Sequence, residues 1–123
     1  VWRDDAARFL ERGARALMVK PGRIGLSESR AIAALCGARG AQVSLGMYYE
    51  SALGTAFALQ CAGALASRFI LPAEHSFFLM LAEQVVGVPL EVTKGRLRLP
   101  EEPDLRRLVD WRALERRGAE LRP

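Results

Sequence analysis

The stretch Ala14–Ser29, ARALMVKPGRIGLSES, decides the fold. Its apolar run ends in Lys20 and turns through Pro21-Gly22-Arg23-Ile24-Gly25 toward Ser27, a residue type suited to capping a helix. The chain holds two lysines, Lys20 and Lys94, against 16 arginines. Lys20 therefore stands where a strand of an α/β barrel would pass into its loop. Barrel folds keep their chemistry at that end of their strands.

The pattern repeats on either side. A short helix is predicted over Asp4–Arg12, with Ala7, Phe9 and Leu10 as its buried side and Gly13 as its stop. Strands are predicted over Arg15–Val19, Ala41–Gly46 and Arg68–Leu71, and helices over Ser27–Ala38 and Ser51–Ala66. The strands start about 26 residues apart with a helix between each pair, which is βα repetition and implies a parallel sheet with right-handed crossovers. Closed barrels and open doubly wound sheets both show this period, so the strand faces must separate them. Ala16, Met18 and Lys20 share one face of the first strand, and Leu17 and Val19 the other. Gln42, Ser44 and Gly46 share a face of the second, opposite Val43 and Leu45. A sheet covered on both sides would be apolar on both faces. One polar face and one aliphatic face fit a barrel whose lumen leads to a site.

After Pro72 the repeat stops. An apolar helix is predicted over Ser76–Val86, then a β-hairpin over Pro89–Pro100 turning at Lys94-Gly95. Asp110 is placed to cap a last amphipathic helix, Trp111–Glu120. The sequence thus divides into a partial α/β barrel over 1–86 and, over 87–123, a hairpin and helix suited to packing on another domain.

Composition narrows the function classes. Half of the chain is apolar and 26% is charged, which is globular and not disordered. The net charge is +4, but the arginines are interleaved with acids, as in Arg3-Asp4-Asp5 and Glu115-Arg116-Arg117. No basic stripe or aromatic-basic motif marks a nucleic-acid footprint, and no nucleic-acid partner is assigned. Cys36 and Cys61 fall in predicted helices among small residues and read as buried thiols. With His75 the single histidine and no paired-cysteine spacing, zinc is not expected. No signal peptide is visible, and the longest uncharged stretch, Ser51–Ser67, is too short for a membrane span. A cytoplasmic location without membrane contact is the expectation. The chain opens on Val1 and not Met, so its gene is expected to begin upstream.

The segments MVKPGRIG, SRAIAALC and GMYYESALGTAFALQ resemble the sixth and seventh strands of the enolase superfamily, more narrowly its muconate-lactonizing subgroup within the mandelate racemase/muconate lactonizing enzymes. Members of that subgroup carry Lys-Pro-Gly-Arg-Val-Gly-Gly and Gly-Gly-Met-Leu-Glu-Ser-Gly runs. The tail VPLEVTKGRLRLPEEPDL and DWRALERRG is similar to that family's closing hairpin and terminal helix. The resemblance implies a modified α/β barrel with a capping domain. The implied reaction is removal of a proton α to a carboxylate, with Mg2+ held by carboxylates on the third to fifth strands. Lys20 matches the sixth-strand catalytic lysine. An amine is a base only when neutral, and burial or a nearby cation favours that form. Without the resemblance, Lys20 reads equally well as a snorkelling surface lysine.

Glu50 matches the acid ending the seventh strand, near the substrate, though an acid at a helix N-terminus is also favoured by the dipole. Gly46 matches a glycine that lets backbone approach the ligand. Tyr48 and Tyr49 replace smaller residues and would reshape the pocket. Arg23 and Gly22 lie in the loop after Lys20. Glu74 and His75 follow the eighth-strand candidate and suit either substrate contact or an N-cap. Lys20 is thus the candidate catalytic residue, and Glu50, Gly46, Tyr48 and Arg23 are the candidate substrate-binding residues. The partners implied are a carboxylate-bearing small molecule, the missing N-terminal barrel half and a capping domain. Self-association into a homo-oligomer is left open.

Two departures put the substrate in question: Gly25 is followed by Leu26, and Met47 stands where the family has its second glycine. Within the family, o-succinylbenzoate synthase or N-acylamino-acid racemase activity is preferred, with cycloisomerases and dipeptide epimerases open. The chain has no Lys-x-Lys motif and no metal-binding strands. Asp4 and Asp5 read as helix-start acids. Three βα units leave a barrel open with pairing edges exposed. The alternative is therefore a non-catalytic, truncated or partner-dependent half-barrel. An open nucleotide-binding domain would need a Gly-rich loop after its first strand, which Pro21-Gly22-Arg23 fits poorly.

Overall fold

The computed structural model describes residues 1–65 and 70–120. Helix α1, Arg3–Glu11, carries Asp4 and Asp5 in its first turn, where the helix dipole favours acids. It buries Ala6 and Leu10, one turn apart on a single stripe. Phe9, expected on the buried side, lies off that stripe and is exposed. Gly13, at φ +92°, takes the chain out through a left-handed conformation.

Strands β1, Ala16–Val19, and β2, Gln42–Leu45, pair in parallel with Ala16 opposite Gln42 and Val19 opposite Leu45. Strand β3, Ile70–Leu71, pairs in parallel with β2, Val43 lying opposite Ile70. The expected strand residues Arg68 and Phe69, and the expected helix end Ala66, lie outside the described residues. Strand order follows chain order. Leu17, Val19, Val43 and Leu45 are buried and pack with Ala6, Leu10, Ala41, Ile32 and Cys36 in one core. On the opposite face Ala16, Met18 and Gln42 are exposed and Ser44 is half-buried. Sequential order with one open face is the arrangement of a barrel-wall segment, as the alternation of side chains predicts. Ile32 is fully buried at the centre of this layer. Ile32→Ala is expected to lower the unfolding free energy by about 2–5 kcal/mol, through lost burial and the cavity left behind. A urea titration of the full-length protein showing an unchanged midpoint would contradict that placement.

Helix α2, Pro21–Ala38, begins directly after Lys20 with proline in its first turn. It is broken at Gly25, whose φ of 81° and ψ of 168° are not helical. Ser27, expected as the cap, is exposed and lies inside the helix. The break falls two residues earlier because glycine adopts this backbone region without a Cβ clash. The buried Ser29 donates its hydroxyl to the Gly25 carbonyl at 2.6 Å. Gly25→Ala is expected to cost about 1–3 kcal/mol, since that region is open essentially to glycine alone. The measurement is the urea midpoint at constant denaturant dependence, and a wild-type midpoint would sink it.

Helix α3, Ala52–Gly63, starts after Ser51 and buries Ala52, Thr55, Ala56, Ala58 and Cys61. Cys36 and Cys61 are buried free thiols, both pushed above the usual thiol range by burial. The expected helix over Ser76–Val86 does not form. Only Phe77–Met80 makes a 3-10 turn, and Leu81 is extended. Two interactions draw the chain out of a helix. Gln84 accepts from Ala52 N at 2.8 Å while donating to the Phe78 carbonyl at 2.7 Å. The β-branched pair Val85-Val86 is recruited into a bridge, with Val86 opposite Val109.

The predicted hairpin is present, with β4, Val92–Thr93, antiparallel to β5, Arg96–Leu97. Lys94 and Gly95 both have positive φ, 50° and 73°, as a tight two-residue turn requires. Asp104 caps a second 3-10 turn, Leu105–Leu108. Its side-chain hydrogen bond from Arg106 lowers its pKa to about 2. Asp110 caps α4, Trp111–Glu120, as expected, its carboxylate accepting from Ala113 N at 3.0 Å. The tail folds back on α3, where Gln60 donates to the Pro103 carbonyl at 2.8 Å.

Candidate functional site

The C-terminal ends of β1 and β2 lie side by side, joined where Gly46 N donates to the Val19 carbonyl at 2.8 Å. Lys20 leaves β1 in an extended conformation, φ −117° and ψ 91°, and its side chain is half-buried. That backbone keeps Lys20 on the open face with Met18, as the strand alternation predicts. Across the strand, Gly46 leaves the space these two side chains fill. A Cβ there would fall 2.7 Å from Met18 Sδ, 2.9 Å from Met18 Cγ and 3.3 Å from Lys20 Cε. The glycine expected to admit a ligand therefore admits the catalytic candidate itself.

Tyr48 closes the group from the β2–α3 loop. Lys20 Nζ stands 5.8 Å from its ring centroid and Arg23 Cζ 5.4 Å, so two cations face one aromatic ring. A groove lined by Val1, Trp2, Met18, Lys20, Arg23 and Ile24 runs beside this cluster along the β1 edge. Tyr49, at φ 61°, turns the loop, and its ring meets Phe77 edge-on at 5.0 Å. Lys20, Arg23, Gly46 and Tyr48 are thus brought together.

Glu50 lies deeper. One carboxylate oxygen accepts from Tyr48 N. The other sits against Gly22, where a Cβ would fall 2.5 Å from it. The Glu50 stem presses on Gly54, whose Cβ would fall 2.8 Å from Glu50 Cβ. Nothing in the sequence signals this fit except the two glycines, which turn and helix residues equally explain.

His75, read in the sequence as a substrate contact or a cap, is 6% exposed, and neither ring nitrogen has a hydrogen-bond partner among the described residues. Burial pushes its pKa below the ordinary histidine range, while the nearby charges of Glu50 and Glu74 pull the other way. Glu74 N donates to the Leu45 carbonyl at 3.0 Å, tying this loop to the end of β2. Among the described residues, no three His, Cys, Asp or Glu side chains cluster so as to hold a metal ion. The described acids therefore do not fit a magnesium site, which takes several carboxylate oxygens about one point. No described helix is long and apolar enough to cross a membrane.

Comparison with known proteins identifies the family and the fold. The o-succinylbenzoate synthase of Geobacillus stearothermophilus is 34% identical over 116 residues, covering 92% of this chain and 30% of that protein. The dipeptide epimerase of Methylococcus capsulatus, solved with Mg ion, superposes with a TM-score of 0.75 at 26% identity, over 85% of this chain and 30% of its own. The L-Ala-D/L-Glu epimerase of Bacillus subtilis, solved in a substrate-liganded complex, shares the fold with a TM-score of 0.75 at 24% identity, over 85% and 29%. This chain spans 30% of the length of the curated relatives it matches. Its βα units are part of a TIM-barrel-type α/β fold. The family model described as Enolase C-terminal domain-like matches residues 1–105, the span that holds Lys20 and every residue gathered around it, and the chain belongs to that family.

Proposed function

We propose that this chain is part of an enzyme that removes a proton α to a carboxylate, with Lys20 as general acid/base. The observation that carries the proposal is the position of Lys20, at the open end of β1, half-buried between Met18, Gly46 and Tyr48. In the neutral form its amine takes the α proton. The C–H electron pair becomes the new C=C bond of an enediolate. Returning a proton to the same carbon gives racemisation, and loss of a β substituent gives elimination. The two cations facing Tyr48 suit an anionic substrate. Similarity to o-succinylbenzoate synthase favours the synthase or N-acylamino-acid racemase type, and similarity to dipeptide epimerases keeps that activity open. Magnesium belongs to the proposal through the neighbour solved with that ion, its ligands lying outside the described residues of this chain.

The test is deuterium uptake at the α carbon in heavy water by the full-length protein with magnesium. The probes are N-acetyl-L-methionine, N-succinyl-L-phenylglycine and L-Ala-L-Glu. Uptake with at least one, or loss of water from a β-hydroxy carboxylate in a parallel sample, is expected, and the absence of both activities would overturn the proposal. The alternative is a half-barrel that acts only with a partner chain, which would supply the strand beside the β1 edge. It predicts uptake only after the remaining barrel strands are added as a separate chain.

A further inference from the structure

We propose that Glu50 is a positioning residue, which clamps the turn carrying Lys20 onto the start of α3 and does not contact substrate. The inference rests on the catalytic role proposed for Lys20. The Glu50 side chain is bounded by three neighbours. One carboxylate oxygen accepts from Tyr48 N, in the loop that supplies the ring beside Lys20. The other lies against Gly22, two residues beyond Lys20, with a Cβ there falling 2.5 Å from Oε1 and 3.3 Å from Cδ. The stem passes over Gly54 in the first turn of α3, where a Cβ would fall 2.8 Å from Glu50 Cβ and 2.9 Å from Cγ. Glycines at 22 and 54 therefore form the two walls of a slot that this one side chain fills. Neither has the positive φ that would otherwise require glycine, so the space itself accounts for them.

The electrostatics agree. Glu50 Oε1 lies beside Gly22, in the first turn of α2, and the N-terminal end of a helix favours a carboxylate. Behind the slot, the imidazole of His75 feels the Glu50 charge from a buried position. A side chain bonded to Tyr48 N, with its carboxylate against Gly22 and its stem against Gly54, fixes the turn Lys20–Ile24 relative to α3, and so fixes where the lysine amine stands. Proton abstraction is sensitive to that placement, since a displacement of about 1 Å costs on the order of 100-fold in rate.

Three variants of the full-length protein test this, read by steady-state kinetics and by amide hydrogen exchange of the peptide spanning Lys20–Ile24. Glu50→Ala is expected to lower kcat about 10- to 100-fold with KM within twofold, and to raise exchange in that peptide about tenfold. Glu50→Gln, which keeps the shape and one acceptor, is expected to restore most of both. Gly22→Ala is expected to match Glu50→Ala and to add nothing to it in the double variant, because its methyl displaces the same carboxylate that Glu50→Ala removes. A raised KM at unchanged kcat, unchanged exchange, or full additivity would each overturn the clamp. Hydrogen exchange does not depend on turnover. If Glu50→Ala loosens the peptide while Lys20→Ala still exchanges the α proton, the clamp stands and the catalytic reading of Lys20 falls.

Discussion

Lys20→Ala is expected to abolish exchange of the α proton, by at least about 1,000-fold, while leaving the fold intact. Positioned acid–base groups contribute roughly 100- to 10,000-fold, and the upper part of that range applies where one amine is the group that takes the proton. The fold should survive because Lys20 contributes no buried apolar surface to the core, which is built from Leu17, Val19, Val43, Leu45 and Ile32 on the other side of the sheet. Nor does its side chain cap α2, which has no side-chain cap at that position. The checks are deuterium uptake by NMR and the far-UV circular dichroism spectrum of the same sample. Binding of a carboxylate inhibitor should weaken only a few-fold, since Arg23 still faces the Tyr48 ring. Wild-type uptake by the variant would sink the assignment, and loss of the fold would move Lys20 from chemistry to structure.

The fold around this lysine was readable because it depends on short-range rules. Alternation along Ala16–Val19 and Gln42–Leu45 set which face is buried, and the burial of Leu17, Val19, Val43 and Leu45 follows it. Lys94-Gly95 marked the hairpin, and Asp110 the last helix, since turn and cap chemistry are local. The errors share a different cause. Ser76–Val86 has the apolar content of a helix, but Gln84 and the Val85-Val86 pair find partners on α3 and at Val109, far away in sequence. Tertiary pairing overrode local preference. Ser27 failed as a cap because Gly25, nearer the strand, could take the backbone conformation that starts the helix. At the site, the family resemblance and loop position pointed to Lys20, Arg23 and Tyr48, yet the slot holding Glu50 joins residues 22, 50 and 54. Spacing along one chain does not reveal such a three-body fit, and two glycines among 11 carry no mark that they face each other.

Gly46→Ala is expected to lower kcat by about 100-fold, at little cost to stability, for a reason the geometry makes specific. The added methyl would fall 2.7 Å from Met18 Sδ and 2.9 Å from Met18 Cγ, separations that real contacts do not show, and 3.3 Å from Lys20 Cε. Something on the open face must give way. The core side of the sheet is close-packed and cannot, whereas Met18 is 46% exposed and its thioether is flexible. Met18 therefore swings, and Lys20, on the same face two residues on, loses the neighbour that holds its stem. A misplacement of about 1 Å is enough for the expected loss. The strand itself should persist, because Gly46 follows β2 and its amide still donates to Val19. The decisive control is Met18→Ala in the same background. Removing the long side chain clears the space that the new methyl needs, so the double variant should recover about tenfold over Gly46→Ala alone, a coupling expected only for residues in direct contact. If Met18→Ala brings no recovery, the glycine is required by the ligand and not by Lys20. The space at Gly46 would then belong to the substrate, as its place at the end of β2 first suggested.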